Sequence, residues 1–196
     1  RVELLFEESL SEKVEIKQGS GNWIIVLRSA HAYNNFQKME DIMRGKSKRF
    51  WAFKNSQFVM KNLLNVKKGD EILFLFIQTF MPEGRGMMAS SNNDFGLNKA
   101  YFAKVTEPYY MQLDGEKSTF FEGNNVSSIS DRKWPHFLDF EIYENHIFEQ
   151  QVLVSRKNME KDLKSRIASS ANQKGVLENL SDLQLQEIKS IIRTIK

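Results

Sequence analysis

Apolar and polar positions alternate between two periods along this chain, and the switches between them mark out the elements. "WIIVLR" (23–28) is continuous and β-branched, which predicts a strand buried on both faces. "SAHAYNNFQKMEDIMRG" follows with apolar residues at helical spacing (Tyr33, Phe36, Met39, Ile42, Met43), and Gly45 suits a helix stop. "RFWAF" reads as a short strand. "SQFVMKNLLN" reads as a helix carrying Phe58, Leu63 and Leu64, "VKKGD" as a turn, and "EILFLFIQTF" as the strongest strand pattern in the chain. Further on, "KAYFAKVTEP" predicts a strand ended by Pro108, "YYMQLDGEKSTFF" a hairpin around Asp114-Gly115, and "WPHFLDFEIYENHIF" an alternating strand. The tail predicts two helices, "RKNMEKDLKSRIAS" and "SDLQLQEIKSIIRTIK". In the second, Ser181 and Gln184 form a capping-box pattern, and Leu185, Ile188, Ile192 and Ile195 make one apolar face.

Two stretches break the pattern. Residues 1–17 hold two apolar clusters separated by charges before "QGSGN", which predicts an N-terminal arm or small hairpin over 1–21 ahead of one domain spanning 22–196. Residues 81–98, rich in Gly, Asn and Ser, form a long loop without periodicity, a length that inside a compact domain points to function or disorder. Five or six short strands with interspersed helices, outside regular βαβ units, predict an α+β curled sheet or small barrel.

Composition narrows the class. With 196 residues, 41% hydrophobic and 27% charged, the chain suits one globular domain with a substantial core. The longest apolar run, "ILFLFI", is of strand length, so no membrane partner is expected. The absence of cysteine excludes disulfides and thiolate metal sites and fits a reducing, cytoplasmic setting. A first residue Arg1 in place of Met suggests a piece of a longer chain. The net charge of +3 hides an asymmetry: residues 1–18 sum to −2, leaving +5 on the rest. That balance favours an anionic partner without naming one.

Enzyme chemistry finds little support. His31, His136 and His146 have no i, i+4 partner, Gly84 and Gly86 flank Arg85 without a phosphate-loop context, and no nucleophile elbow occurs. Asp139 and Glu141 share a strand face with no lysine between them. Glu15 and Lys17 have the Glu-x-Lys form of a nuclease metal site but lack a preceding aspartate. No catalytic residue, metal or cofactor is expected.

"SKRFWAFKNSQF" (47–58) is more informative. Arg44, Lys46, Lys48 and Arg49 place four cations in six positions directly before Trp51. A strand entering a core and a cationic lip with an aromatic pocket behind it both fit. Trp51 alternates with Phe50 and Ala52 and follows charges that would not border a closed core. An aromatic plane replaces the stacking that an extruded base gives up, at about 1–3 kcal/mol, and surrounding cations hold phosphates. Ser29 and the neighbouring Asn34 and Asn35 supply groups suited to a base edge; from the residues alone, the favoured reading is capping by Ser29 and surface placement of the asparagines.

The order "IIVLRS", helix, "RFWAF", helix, "NVKKGDEILFLFIQ", "AYFAKVTEPYY", "WPHFLDFEI" and a closing "GVLENLSDLQLQEIKSII" resembles the EVE and YTH branch of the PUA-like superfamily over about residues 22–195. The resemblance implies a curved, partly closed β-barrel with helices packed around it and a concave pocket for a modified base: N6-methyladenine in RNA for YTH domains, a base flipped out of DNA for the EVE-like domains of modification-dependent restriction systems. By position it implies a base pocket of Ser29, Asn34, Trp51, Ala52, Phe53, Phe80 and Tyr109, with Tyr110 an alternative second wall. Phosphates would fall to Arg28, Arg44, Lys46, Lys48, Arg49, Lys54 and Arg85. "WAF" is closer to the EVE-type "W-G-F" than to the RNA readers' pattern, so modified DNA is expected over RNA. The chain would then be a non-catalytic specificity module, with a nuclease or NTPase effector on the same chain or in a complex. An RNA N6-methyladenosine reader and a metal-dependent nuclease are the alternatives.

Overall fold

The computed structural model describes residues 21–28, 34, 36–37, 39–41, 44–54, 57–79, 94–111, 134–155, 157–172 and 176–195. Six strands, β1 (Asn22–Leu27), β2 (Lys48–Phe53), β3 (Glu71–Thr79), β4 (Phe95–Met111), β5 (His136–Val154) and β6 (Glu178–Leu180), form one mixed sheet in the order β2-β5-β4-β3-β1-β6. The class is α+β. The sheet curls, but it is not closed into a barrel: β2 and β6 end it on either side.

β1 runs parallel to β3, Trp23 facing Ile72 and Leu27 facing Phe76, and the other pairings are antiparallel. A strand placed there is covered on both faces, which is why both strands read as unbroken apolar runs. Trp23, Ile25 and Leu27 join Phe74 and Phe76 in one core. Ile24 and Val26 join Leu73, Leu75 and Ile77 in a second, on the opposite face. Beside the helical residues described within 34–41, three helices are described end to end: α1 (Gln57–Leu63), α2 (Lys161–Asn172) and α3 (Asp182–Thr194). Leu163 and Ile167 of α2 and Leu185, Ile188 and Ile192 of α3 cover the second core.

α3 follows its sequence pattern closely. The Ser181 hydroxyl accepts from the Gln184 amide at 3.2 Å and the Gln184 side chain accepts from the Ser181 amide at 3.0 Å, the reciprocal capping box. The turn before β3 is set by Gly69, whose φ of 89° is in the left-handed region. Asp70 beside it is almost fully buried. Its carboxylate accepts hydrogen bonds from the Trp23 Nε1, the Gly21 amide and the Lys67 amide at 2.8, 3.0 and 2.9 Å.

Three expectations are corrected. Pro108 does not end a strand: β4 runs through it to Met111. Its missing N–H is tolerated because the β4–β5 register shifts between Glu107 and Tyr110, so the proline falls where the ladder is already interrupted. β5 extends past Phe148 to Val154. Leu64 does not join an apolar helix face but follows α1 at 61% exposure. The arm at 1–20, most of the 81–98 loop and the Asp114-Gly115 hairpin lie outside the described residues.

Candidate nucleic-acid interface

β2 delivers its side chains in two groups. Lys48 is exposed at its start, and Phe50, Trp51, Ala52 and Phe53 are all buried against β5 and the first core. The expected solvent-open indole is therefore not found: Trp51 is 5% exposed. Alternation sends Trp51 and Phe50 to opposite sides of β2, yet β2 is the terminal strand of a curled sheet and both sides are covered. Trp51 stands 5.8 Å from Phe36 and 6.3 Å, edge on, from Phe74.

Phe36 is the hub of this aromatic group. It comes from the helical residues that include Asn34, Phe36, Gln37 and Met39 to Asp41. Its ring lies 4.7 Å from Phe76 and 5.1 Å from Tyr101. One helical turn further on, Glu40 Oε1 accepts from Arg49 Nε at 2.5 Å. Both side chains are largely buried, at 26% and 15% exposure. Arg49 also donates to the carbonyls of Lys46 and Lys48. Burial first, and then the charge of Glu40, push the Tyr101 phenol up to about 12 against a lowering by Arg49. It is a protonated hydroxyl at neutral pH.

The cations expected to hold phosphates thus divide. Lys46 and Lys48 are exposed and make no ion pair among the described residues. Arg44, 81% exposed, pairs with Asp41 at 3.0 Å. Arg49 is engaged by Glu40. Lys54 lies over the Trp134 ring, 5.6 Å from its centre. Arg28 follows β1 with its Nη1 buried and without a hydrogen-bond partner. Asn34 is exposed on the segment that carries Phe36. Ser29, Phe80 and Arg85 lie outside the described residues.

Tyr109 and Tyr110 take separate positions at the far end of β4. Tyr109 is half-buried with its ring 5.6 Å from His136, whose pKa burial lowers. Tyr110 stacks on Phe137 at 5.8 Å and donates to Asp139 at 2.6 Å. Burial first, then that bond, raise its phenol further. Phe36 and Phe74 stand against Trp51 and were left out of the expected pocket, as were Tyr101, which meets Phe36, and Glu40, which holds Arg49. Glu40 carries a local signal, four positions after Phe36 and so on the same helical face. Tyr101 carries none.

Among the described residues no cluster of His, Asp and Glu suits a metal ion, and Glu15 and Lys17 lie outside them. No described helix is long and apolar enough to cross a membrane.

No family model matches the sequence, and no curated protein does. Solved structures do match. Human THYN1, in complex with DNA containing 5-methylcytosine, superposes with a TM-score of 0.50 at 14% identity, over 90% of this chain and 100% of that one. A Pseudomonas putida protein gives 0.49 at 15% identity over 87% and 98%. The Mmi1 YTH domain complexed with RNA gives 0.41 at 12% over 88% and 77%. At such identities the likeness is one of fold alone: the chain shares the fold of the THYN1 structure.

Proposed function

We propose that this chain is a non-catalytic reader of modified nucleic acid, taking an extruded modified base against Trp51 and holding the flanking phosphates with Lys46, Lys48 and Arg44. The observation that carries the reading is the position of Trp51: directly behind an exposed basic lip, in one aromatic group with Phe36 and Tyr101. The fold it shares with a protein solved on 5-methylcytosine DNA supports it. Because the indole is buried, a base reaches it only when a neighbouring side chain turns aside, so binding is coupled to local opening. Ser29, Asn34, Ala52, Phe53, Phe80 and Tyr109 complete the proposed pocket, and Arg28, Lys54 and Arg85 the proposed backbone contacts. Arg49, tied to Glu40, positions the site and does not grip phosphate. DNA is the proposed substrate over RNA. The domain, residues 22–196, is the specificity part of a modification-dependent restriction system whose nuclease or NTPase lies elsewhere, in the cytoplasm.

Fluorescence anisotropy with matched methylated and unmethylated oligonucleotides tests this. The wild-type protein is expected to prefer the methylated strand, with an affinity that falls steeply with salt. Trp51→Phe, which keeps an aromatic filler, should lower the preference several-fold, and Trp51→Ala should remove it, in line with about 1–3 kcal/mol of stacking. A folded Trp51→Ala protein with undiminished preference overturns the assignment. Tighter binding to matched methylated RNA would transfer the reading to RNA.

A further inference from the structure

We infer that the chain pairs with a second copy of itself through the outer edge of β5, residues 142–147 running antiparallel to the same residues of the copy about a twofold axis at Asn145.

β2 covers the outer side of β5 only from His136 to Glu141, where the last pair is Lys48 with Glu141. Beyond it the strand continues on β4, with Ile142, Glu144, Asn145, His146 and Ile147 opposite Ala103, Phe102, Tyr101, Ala100 and Lys99. Among the described residues nothing pairs with its other side. Residues 142–147 thus present outward backbone donors and acceptors to solvent, beside Tyr143 and Ile147, which are 46% and 59% exposed. Soluble proteins blunt such an edge with lysine, proline or a bulge. This stretch has neither lysine nor proline. The large bulge of β5 comes only after it, at 148–151, between the Ile147–Lys99 and Val152–Leu97 pairs.

The side chains select the occupant, because "IYENHIF" (142–148) is self-complementary. A twofold axis at Asn145 sets Glu144 of each copy opposite His146 of the other and Asn145 opposite itself. It brings Ile147 over the Ile142–Tyr143 step, where Tyr143 is the extra residue of the β4–β5 ladder. Glu144 and His146 share one face of β5, with His146 Nε2 2.8 Å from Glu144 Oε1. His146 Nδ1 makes no hydrogen bond among the described residues. A protonated imidazole donates from both nitrogens, one to the carboxylate of each copy, and two amides facing each other match donor to acceptor. Neighbouring registers fail. An axis at Glu144 opposes two carboxylates, and one at His146 leaves Glu144 against Phe148. Glu149, which would come to Glu141, lies in the 148–151 bulge, off the line of the ladder. Charge therefore selects one register, and a twofold contact of this kind closes at two copies.

The chain has no cysteine, so a single introduced one reports the register. In Asn145→Cys the axis brings the two Cα atoms to the about 4.5–5.5 Å of directly opposed residues, within disulfide range, and oxidised glutathione should link the protein as a covalent dimer. In Ile147→Cys the two sites lie more than about 10 Å apart and should link about tenfold less. Sedimentation of the wild-type protein should show a monomer–dimer equilibrium. Asn145→Lys, which opposes two cations across the axis, should raise its dissociation constant about tenfold or more. Its melting temperature should not change, because Asn145 is exposed. If Asn145→Lys fails to fold, Ile147→Lys, at another exposed position, decides in its place. Three results overturn the inference: a wild-type protein monomeric at every concentration, equal linking of the two cysteine variants, or a dimer that the folded lysine variant leaves intact.

Discussion

The two faces of the sheet are built from different side chains and finish their polar groups differently. The face under α2 and α3 is mainly aliphatic, with Ile24, Val26, Leu73, Leu75, Ile77, Leu97, Leu163, Ile167, Leu185, Ile188 and Ile192. Several of its charges are paired: Lys189 donates to Glu71 and, at 2.8 Å, to the Tyr143 hydroxyl, and Arg193 holds Glu144, while the Nε of Arg166 on α2 is buried without a hydrogen-bond partner. The opposite face is aromatic, with Trp23, Phe36, Phe50, Trp51, Phe53, Phe74, Phe76, Tyr101, Phe137 and Phe140. There, among the described residues, Glu40 Oε2 and the Tyr101 hydroxyl make no hydrogen bond. Aliphatic packing with paired charges serves stability. Flat rings with unspent donors and acceptors suit a ligand that is itself a flat ring with a polar edge.

The largest effect that could break this contrast is on the aliphatic side. Ile188 is fully buried at the centre of α3's contact. Ile188→Ala should cost about 2–5 kcal/mol in urea unfolding, through lost transfer energy and the cavity left behind. Nucleic-acid affinity of the folded protein should not change. A loss of preference for methylated DNA in folded Ile188→Ala would mean that the two faces are not separable.

How much of this was legible beforehand follows from range. α3 could be read in advance because its cap and apolar stripe are local: Ser181 and Gln184 are three apart, and Leu185, Ile188 and Ile192 repeat at helical spacing. β1 and β3 were legible because burial on both faces leaves a run with no polar interruption. The sheet order was not readable from pattern, because it is set by pairings between segments far apart in the chain. The site divides in the same way. "KRFWAF" exposed the basic lip and the tryptophan behind it, but not the depth of Trp51, which depends on Phe36 and Phe74 reaching it from other segments. Arg49 looked like a free cation because Glu40, nine residues away, meets it only through the fold.

Asp70 sharpens the contrast from the aromatic side, where one polar group is fully satisfied. Its three hydrogen bonds tie Trp23 and both flanking backbone segments to the β3 turn. Asp70→Ala strands a buried indole N–H and two amides, and should cost about 3 kcal/mol. Base preference should survive in the folded fraction, because Asp70's bonds go to Trp23 and two backbone amides, which anchor the frame. If Asp70→Ala removed the preference at unchanged stability, polar closure would not be what separates structure from recognition.

The smallest expected effect lies at the rim of the aliphatic face. The Arg193 guanidinium, with Nε and Nη2 at 2.8 and 2.5 Å, holds the Glu144 carboxyl down at about 2, helped by His146. A carboxylate whose folded pKa is depressed adds stability above its unfolded value near 4.5, and loses it as pH falls from there through about 2. Arg193 is about half exposed, at 47%, so solvent screening limits the contribution to under about 1 kcal/mol. Arg193→Met, which removes the guanidinium that also lies 5.3 Å from the centre of the Phe102 ring, should narrow the difference in urea midpoint between pH 6 and pH 3 relative to wild type. A midpoint difference that Arg193→Met leaves untouched would mean that this pair does not fasten α3 to β5, and that apolar burial alone holds the helix against the sheet.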